Sequence, residues 1–337
     1  MIIKEFFAAL RNQDVSTVES ITTDDFRANF VECLFFGENS KTRFLSWIKE
    51  NHYEVHELEY DTRFVTFKQN NVLKGARFTI KDNLIYEYSE YLVDDIKRYK
   101  AVVSYNGQNY YGYQRQLKHV TIQGTIESAL KSALKEDIEI HASGRTDRAV
   151  HAIGQVIHFD TNSKIPIDKL LKIINAFLPA DIRFLKIEEV SKAFHARYDI
   201  VGKEYVYKIS TSAYNPIDAG TVWYVEPFDM GLFKSELNKV IGEHDFYAFC
   251  KRPTTSNTVR IVNSISVEEF EGAITVSIKG NGFLRHMVRF IIGAAVMIAS
   301  KKVNYTIDQV FEKNDNQMIK DMAAPGGLYL KEVFYGE

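Results

Sequence analysis

The first 92 residues change from a helical to a strand-like hydrophobic pattern, and this change limits the folds that they can adopt. Apolar side chains recur at helical spacing over residues 2–11, 15–21 and 41–51. Four runs with strand character follow, at 53–59, 62–68, 72–80 and 84–92, with turns predicted at 70–71 and 81–83. Three helices followed by a meander predict an α+β domain in which a curved antiparallel sheet packs on the helices.

This order of elements is similar to that of the NTF2-like (SnoaL-type) cone fold. The resemblance implies a domain over residues 1–96, and such cones serve as enzymes, ligand pockets or dimerisation modules. The polar candidates for a site in it are His52, His56 and Asp61. Single histidines beside a strand are more often surface residues than catalysts, so we expect this domain to have a partner-binding or assembly role.

Charge is distributed unevenly along the chain. The whole sequence has a formal net charge of −2, but residues 1–97 alone hold 12 Lys and Arg against 17 Asp and Glu. The remaining residues therefore carry a small positive surplus. Any contact with RNA is expected to come from a localised basic stripe and not from a generally basic surface.

A second pattern begins at Arg98. Alternating apolar residues predict a strand over 99–105, and Asn106-Gly107 is a typical turn dipeptide. The string Tyr-Tyr-Gly-Tyr-Gln-Arg-Gln follows at 110–116, and residues after Thr121 predict an amphipathic helix. The tyrosines of the string at 110–116 could stack on bases or pack in a core equally well.

The polar segment at 141–160 is the strongest candidate for chemistry, because polar loops between buried strands often carry function. Gly144 allows a sharp turn, while Arg145 and Asp147 are spaced to direct a cation and a carboxylate into one pocket. Such a pair alone is more often a surface ion pair than an active site. The longer string from Gly144 to Val156 is more specific.

That string closely resembles the catalytic loop of the TruA-type tRNA pseudouridine synthases. Further similar strings are Gly-Tyr-Gln-Arg-Gln at 112–116, Phe-His-Ala-Arg at 194–197, Lys-Glu-Tyr-Val-Tyr at 203–207, Gly-Phe-Leu-Arg-His-Met-Val-Arg at 282–289 and Ala-Pro-Gly-Gly-Leu-Tyr-Leu at 324–330. The resemblance implies that residues 97–337 form a TruA-like fold. Its two α/β subdomains, at about 97–200 and 201–337, would share a mixed, mainly antiparallel sheet and a central cleft.

The resemblance also implies roles for individual residues. Asp147 would be the indispensable catalytic residue, Tyr205 would stack on the target uracil and take part in proton transfer, and Arg289 would keep the Asp147 carboxylate ionised. Arg145 would help to displace the flipped base. The other residues expected to bind substrate or RNA are Arg148, His151, Gln114, Arg115, Gln123, His195, Arg197, Lys203, Arg285 and Leu328. The spacing of Arg285 and Arg289 predicts a shared helix face.

The sequence departs from the family pattern directly after Asp147. Arg148 and Ala149 stand where the family normally has Ala and Gly. If the second position needs a positive φ, Ala149 costs roughly 1 kcal/mol relative to glycine. Arg148 could clamp an RNA phosphate.

The expected reaction is isomerisation of uridine to pseudouridine in the anticodon stem-loop region of tRNA, by a homodimer. It requires no redox step, metal or other cofactor. The chemical path stays open between attack of Asp147 on C1′, its addition to C6 of the base, and a glycal path. The alternatives are another RNA or a free uridine nucleotide as substrate, or a non-catalytic RNA-binding module.

The remaining sequence features indicate a cytoplasmic protein without a metal or disulfide framework. Cys33 and Cys250 are far apart and show no metal-ligand spacing with a histidine, so both are expected to be buried free thiols. No apolar run approaches the ~20 residues that a membrane span needs, and the first residues do not resemble a signal peptide.

Overall fold

The computed structural model describes residues 2–30, 34–35, 39–51, 53, 56–60, 64–69, 72–92, 96–251 and 257–336. The predicted candidates His52 and Asp61, the side chain of His56, and Cys33 lie outside what is described. The chain divides into two compact units. One comprises Met1–Tyr99, Asp160–Lys164 and Glu189–Tyr198, and the other comprises the remaining residues.

The first unit contains the three predicted helices and a six-stranded sheet. The helices are α1 (Ile2–Arg11), α2 (Val15–Ile21) and α3 (Ser40–Glu50). The strands are β1 (Thr22–Asn29), β2 (Leu34–Phe35), β3 (His56–Tyr60), β4 (Phe64–Gln69), β5 (Val72–Lys81) and β6 (Leu84–Leu92). Their order in the sheet is β2-β1-β6-β5-β4-β3, so the predicted meander β3 to β6 is confirmed.

The prediction missed β1 and β2, and it was wrong that the sheet is wholly antiparallel, because β1 pairs parallel with β6. Strand β1 begins directly after α2, with no turn residue between them. The change from helical to strand-like hydrophobic spacing is therefore not marked in the sequence. The buried positions in it are few, chiefly Phe26 and Ala28. The predicted turn at 81–83 is confirmed: Asp82 and Asn83 both have positive φ, as a type I′ hairpin turn requires.

An aromatic core joins the helices to this sheet. The rings of Phe6 and Phe44 are fully buried, and the Phe6 ring packs at 5.4 Å from the ring of Phe78 and 5.2 Å from that of Tyr88. Aromatic rings bury large apolar areas in few residues. The apolar faces of the helices and of the sheet thus pack against each other in one apolar layer.

A ten-stranded sheet dominates the rest of the chain. Its strands are β7 (Lys97–Tyr105), β8 (His141–Ala142), β9 (His151–Thr161), β10 (Ile182–Val190), β11 (Ile200–Ser210), β12 (Trp223–Tyr224), β13 (Gly242–Asp245), β14 (Val259–Phe270), β15 (Ala273–Gly280) and β16 (Leu328–Tyr335). The main order is β10-β7-β9-β16-β11-β15-β14-β13, while β8 pairs with β9 and β12 with β11. Strands β9 and β16 pair parallel, whereas β11 is antiparallel to both β15 and β16. A mixed sheet was predicted.

Five helices accompany this sheet. They are α4 (Ile122–Leu134), α5 (Ile167–Phe177), α6 (Met230–Asn238), α7 (Met287–Ala299) and α8 (Ile307–Lys313). Thr121 caps α4, as predicted, since its side chain accepts a hydrogen bond from the Gly124 N–H. Almost every residue of α7 is buried, and this helix forms the centre of the core with residues of β11 and β15.

Two local predictions in this part of the chain are wrong. Helix α7 begins at Met287, after His286 in a left-handed conformation, so Arg285 precedes the helix and shares no helix face with Arg289. The alternation of Ile138 and Ile140 before the polar segment at 141–160 predicts a strand, but the described structure has none there, although both side chains are buried. Their alternation reflects burial of an irregular segment.

Two further sequence expectations concern the thiols and the membrane. Cys250 is a buried free cysteine, as predicted. Within the part of the chain that is described, each helix is too short or too polar to cross a membrane.

Candidate functional site

Residues 143–150 form the loop between β8 and β9 that is predicted to be catalytic, here called the catalytic loop, and a network of hydrogen bonds fixes its position. Gln155 donates from Nε2 to the Gly144 carbonyl at 2.9 Å. Tyr105 Oη lies 2.9 Å from Thr146 Oγ1, and the Tyr113 N–H donates to the Thr146 carbonyl at 3.0 Å. Burial raises the pKa of Tyr105 to about 12, although the hydrogen bonds of its hydroxyl with Thr146 and Gln155 act to lower it. The hydroxyl therefore stays protonated at neutral pH.

Two glycines allow the motif at 106–113 to approach this loop closely. A Cβ at Gly107 would lie 2.0 Å from the Val150 carbonyl oxygen. Gly112 has a φ of +91°, and a Cβ there would lie 3.0 Å from the Thr146 carbonyl oxygen. Both sites therefore need glycine, which explains why two distant strings of the sequence belong to one site.

Asp147 projects from the loop toward the beginning of α7. Its side chain is 28% exposed, so the carboxylate is reachable from solvent but partly shielded. His286 Nε2 lies 3.2 Å from Oδ1, and Arg289 Nη1 lies 3.9 Å from Oδ2. Each carboxylate oxygen thus faces a different nitrogen group.

Arg289 is held in place from its other side. Its Nε donates to the Ala323 carbonyl at 2.8 Å, and the side chain is almost wholly buried. Burial lowers the pKa of the guanidinium, and the neighbouring Asp147 carboxylate opposes that shift. The arginine remains charged at neutral pH because its ordinary pKa is so high. A fixed cation therefore faces the predicted nucleophile.

His286 is a site residue that the sequence analysis did not assign. It caps the N-terminus of α7 with a φ of +66°, and only 10% of its side chain is exposed. Its Nδ1 is buried and has no hydrogen-bond partner among the described residues. The only sequence signal was its place in the string at 282–289, since the left-handed backbone that turns it toward Asp147 does not show in residue type.

Tyr205 and Phe283 form an aromatic pair in the neighbourhood of Asp147. Their ring centroids are 5.1 Å apart at an interplanar angle of 83°. Burial raises the pKa of Tyr205 well above its ordinary value, with smaller contributions from Tyr105 and the Asp147 carboxylate. The hydroxyl is therefore protonated at neutral pH. Leu328, which is buried, pairs with Tyr207 across β11 and β16.

Four of the residues predicted to bind RNA support the loop or the helix behind it. His151 is buried, its Nδ1 accepts from the Gly107 N–H at 3.1 Å, and its Nε2 lies 2.9 Å from the Gly220 carbonyl. Lys203 donates from Nζ to the Ser143 carbonyl at 3.0 Å. The remaining two, Arg115 and Gln123, both contact the carboxylate of Glu127.

The other predicted RNA-binding residues lie in two places. His195 and Arg197 belong to the first unit, where His195 Nδ1 accepts from the Arg197 N–H at 3.0 Å. The remaining predicted RNA-binding residues belong to the second unit and have exposed side chains: Gln114, Arg145, Arg148 and Arg285. Their contacts with RNA stay predictions.

The two departures after Asp147 have visible consequences. Ala149 has a φ of +61°, so the position does require a left-handed backbone, as the sequence analysis anticipated. The guanidinium of Arg148 lies over the ring of Tyr111, with Cζ 4.2 Å from the ring centroid. No sequence pattern indicated this contact between Arg148 and Tyr111.

Comparison with known proteins identifies the family of this chain. Residues 101–199 and 237–336 match the model of a family described as tRNA pseudouridine synthase. Similar proteins include tRNA pseudouridine synthase A of Brevibacillus brevis, which is 40% identical over 71% of this chain and all of the relative. That of Phytoplasma mali is 37% identical over 70% of this chain and 98% of the relative. The chain belongs to the tRNA pseudouridine synthase family.

Solved structures similar to a smaller part of the chain are of a different kind. An NTF2-like protein of unknown function from Cytophaga hutchinsonii is 15% identical with a TM-score of 0.23, covering 27% of this chain and 86% of that chain. A putative polyketide cyclase from Sinorhizobium meliloti is 18% identical with a TM-score of 0.23, covering 27% of this chain and 93% of that one.

Proposed function

We propose that this chain isomerises uridine to pseudouridine in the anticodon stem-loop region of tRNA, with Asp147 as the catalytic carboxylate. The observation that carries the proposal is the geometry around Asp147, whose two oxygens face Arg289 and His286 beside the ring of Tyr205. Membership of the tRNA pseudouridine synthase family gives the reaction class.

The pocket residues supply what the isomerisation demands. The bond between C1′ and N1 of uridine must break, the uracil must turn over, and a new bond must join C1′ to C5. The proton on C5 must then leave, and N1 must gain a proton. The carboxylate of Asp147 serves each of the three possible paths, and the Arg289 guanidinium lies beside it, with Nη1 3.9 Å from Oδ2. The protonated Tyr205 offers a flat face to the uracil while it turns, and a hydroxyl that can donate a proton.

The exposed residues around the loop complete the proposal. Arg145, two residues before Asp147, would occupy the place that the flipped base vacates. Residues 97–337 would form two α/β subdomains about a central cleft. Residues 1–96 would form an NTF2-like assembly module, and their net negative charge would repel RNA from this part of the chain. The working form would be a cytoplasmic homodimer.

The function can be tested with Asp147→Asn, which removes the charge but keeps the shape. Pseudouridine formation in an anticodon stem-loop transcript is expected to fall below detection, while affinity for that transcript stays within about twofold, because the phosphate contacts persist. Asp137→Asn is the matched control, since this carboxylate is exposed and pairs only with the exposed Lys131 among the ion pairs described.

Two results would contradict the proposal. Turnover by Asp147→Asn near that of the unaltered protein would exclude Asp147 as the catalytic carboxylate. Turnover of free UMP, but not of the transcript, would show that the substrate is a nucleotide and not tRNA.

A further inference from the structure

Three side chains form a layered stack next to the catalytic loop. The rings of Tyr111 and His119 are parallel within 6°, with centroids 3.9 Å apart. The Cζ atom of Arg148 lies 4.2 Å from the centroid of the same tyrosine ring. A ring and a guanidinium at these distances cannot share one face, so Tyr111 is covered on both faces. The free ring face of the stack belongs to His119.

The chain between the two rings folds back on itself and fixes their positions. The Tyr111 N–H donates to the Val120 carbonyl at 2.9 Å, and Gln116 donates from Nε2 to the Tyr111 carbonyl at 3.0 Å. Gln116 and His119 also form an isolated antiparallel bridge. His119 is therefore presented on a short hairpin and not on a free chain.

The surface of this hairpin combines apolar and cationic side chains. Leu117 is fully exposed and Val120 largely so. Lys118 is exposed between them, and Arg148 closes the stack on the side of the catalytic loop. Flat rings with apolar and basic side chains around them are the usual composition of a surface that binds unpaired nucleic acid.

The stack is anchored one residue from the reacting carboxylate, because Arg148 directly follows Asp147. We propose that the outer face of the His119 ring binds an unpaired nucleobase of the substrate RNA, which continues the stack of Arg148 and Tyr111. This inference rests on the proposed function and names a further subsite for the same substrate. A stacking subsite accepts any base, so it adds affinity without selecting a sequence.

The test compares His119→Ala with Lys118→Ala in the full chain, using the anticodon stem-loop transcript over a range of salt concentrations. His119→Ala is expected to weaken affinity roughly 5- to 100-fold, with the slope of log affinity against log salt unchanged, because stacking releases no counterions. Lys118→Ala is expected to reduce that slope by roughly 0.7 to 0.9, as the loss of one phosphate contact would. His119→Phe should bind nearly as well as the unaltered protein, because it keeps the ring.

Three results would overturn the proposal. His119→Ala could bind as tightly as the unaltered protein, it could change the salt slope as Lys118→Ala does, or it could lower kcat with affinity unchanged, which would mean that the stack only supports the catalytic loop. Failure of the unaltered protein to isomerise the transcript would instead contradict the proposed function. Activity on the transcript together with tight binding by His119→Ala would remove this subsite alone.

Discussion

Ala149 occupies a backbone position that suits glycine, two residues after Asp147, the proposed catalytic carboxylate. Its φ is +61°, and the left-handed region costs a residue with a Cβ roughly 1–2 kcal/mol. The Ala149 N–H still donates to the Tyr110 carbonyl, at a long 3.4 Å. The surrounding loop therefore holds the alanine in a conformation that it would not adopt alone.

Replacement of this residue by glycine should stabilise the protein. Ala149→Gly is expected to raise the free energy of unfolding by roughly 1 kcal/mol, because glycine adopts a positive φ without steric cost. Ala152→Gly is the matched control: it lies in β9 without a positive φ and should lose roughly 0.5–1 kcal/mol. Denaturant midpoints measure both. A loss of stability in Ala149→Gly would mean that the loop tolerates the methyl group without strain.

His286 gives a second prediction at this scale. His286→Asn keeps a residue that tolerates the left-handed backbone but removes the nitrogen 3.2 Å from Asp147. We expect kcat to fall roughly 10- to 100-fold with KM little changed, because the Asp147 carboxylate would lose the imidazole nitrogen beside it. His286→Gly should show the same loss, because the imidazole and not the backbone is responsible. Unchanged kcat in both variants would contradict this role.

Individual residues also show where prediction from sequence stops. Asp147, Tyr205 and Arg289 could be selected from strings of residue types, and Arg289 does face Asp147. His286 and the stack on Tyr111 could not, because each depends on a backbone turn that brings distant residues together. Residue type predicts chemistry better than it predicts which neighbour a side chain meets.

At the scale of elements, the start of β9 depends on a neutral histidine. His151 Nδ1 accepts a hydrogen bond from the Gly107 N–H, so Nε2 carries the proton and donates to the Gly220 carbonyl. Burial lowers the pKa of His151 from its ordinary value of 6.5. A proton on Nδ1 would break the bond from Gly107, and β9 would lose one of its anchors.

This arrangement predicts a stability that depends on pH. Because the pKa of His151 is lower in the folded chain, the unfolded chain takes up a proton at the higher pH. The contribution of His151 is thus complete above pH 6.5, and it is lost as the pH falls through the folded pKa. Unfolding midpoints measured between pH 8 and pH 5 should fall, and His151→Gln should be less stable at pH 8 but change less with pH. Equal pH dependence of the two proteins would contradict this assignment.

Elements with a regular period were predictable, and those without one were not. Helices α1, α2 and α3 match their predicted ranges closely because their apolar faces are continuous. Strand β1 was missed because it follows a helix directly. The string at 281–289 predicts a helix that begins at Asn281, whereas α7 begins six residues later, at Met287. Boundaries depend on backbone conformation, which local composition determines only weakly.

At the scale of the whole molecule, the order of the two sequence patterns anticipated the two kinds of sheet but not the division of the chain. The first compact unit includes Asp160–Lys164 and Glu189–Tyr198, which follow the predicted boundary near residue 97. Within this unit, Arg98 and Asp160 form an ion pair at 2.5 Å, although they are distant in sequence. Hydrophobic periodicity describes neighbours along the chain, so it cannot show that a later segment packs against an earlier one.

The parallel pairing of β9 with β16 has a consequence for the order in which the protein becomes active. His151 is paired with Tyr329, so the strand that ends the catalytic loop completes its ladder only with residues from far along the sequence. Contacts of such separation form late, because the entropy of closing the intervening chain must be lost first. During refolding the helical signal should therefore recover before catalytic turnover does. A ribosome-bound chain that lacks β16 would already contain Asp147, Tyr205 and Arg289, but β9 would still lack its pairing partner, so we expect this chain to be inactive.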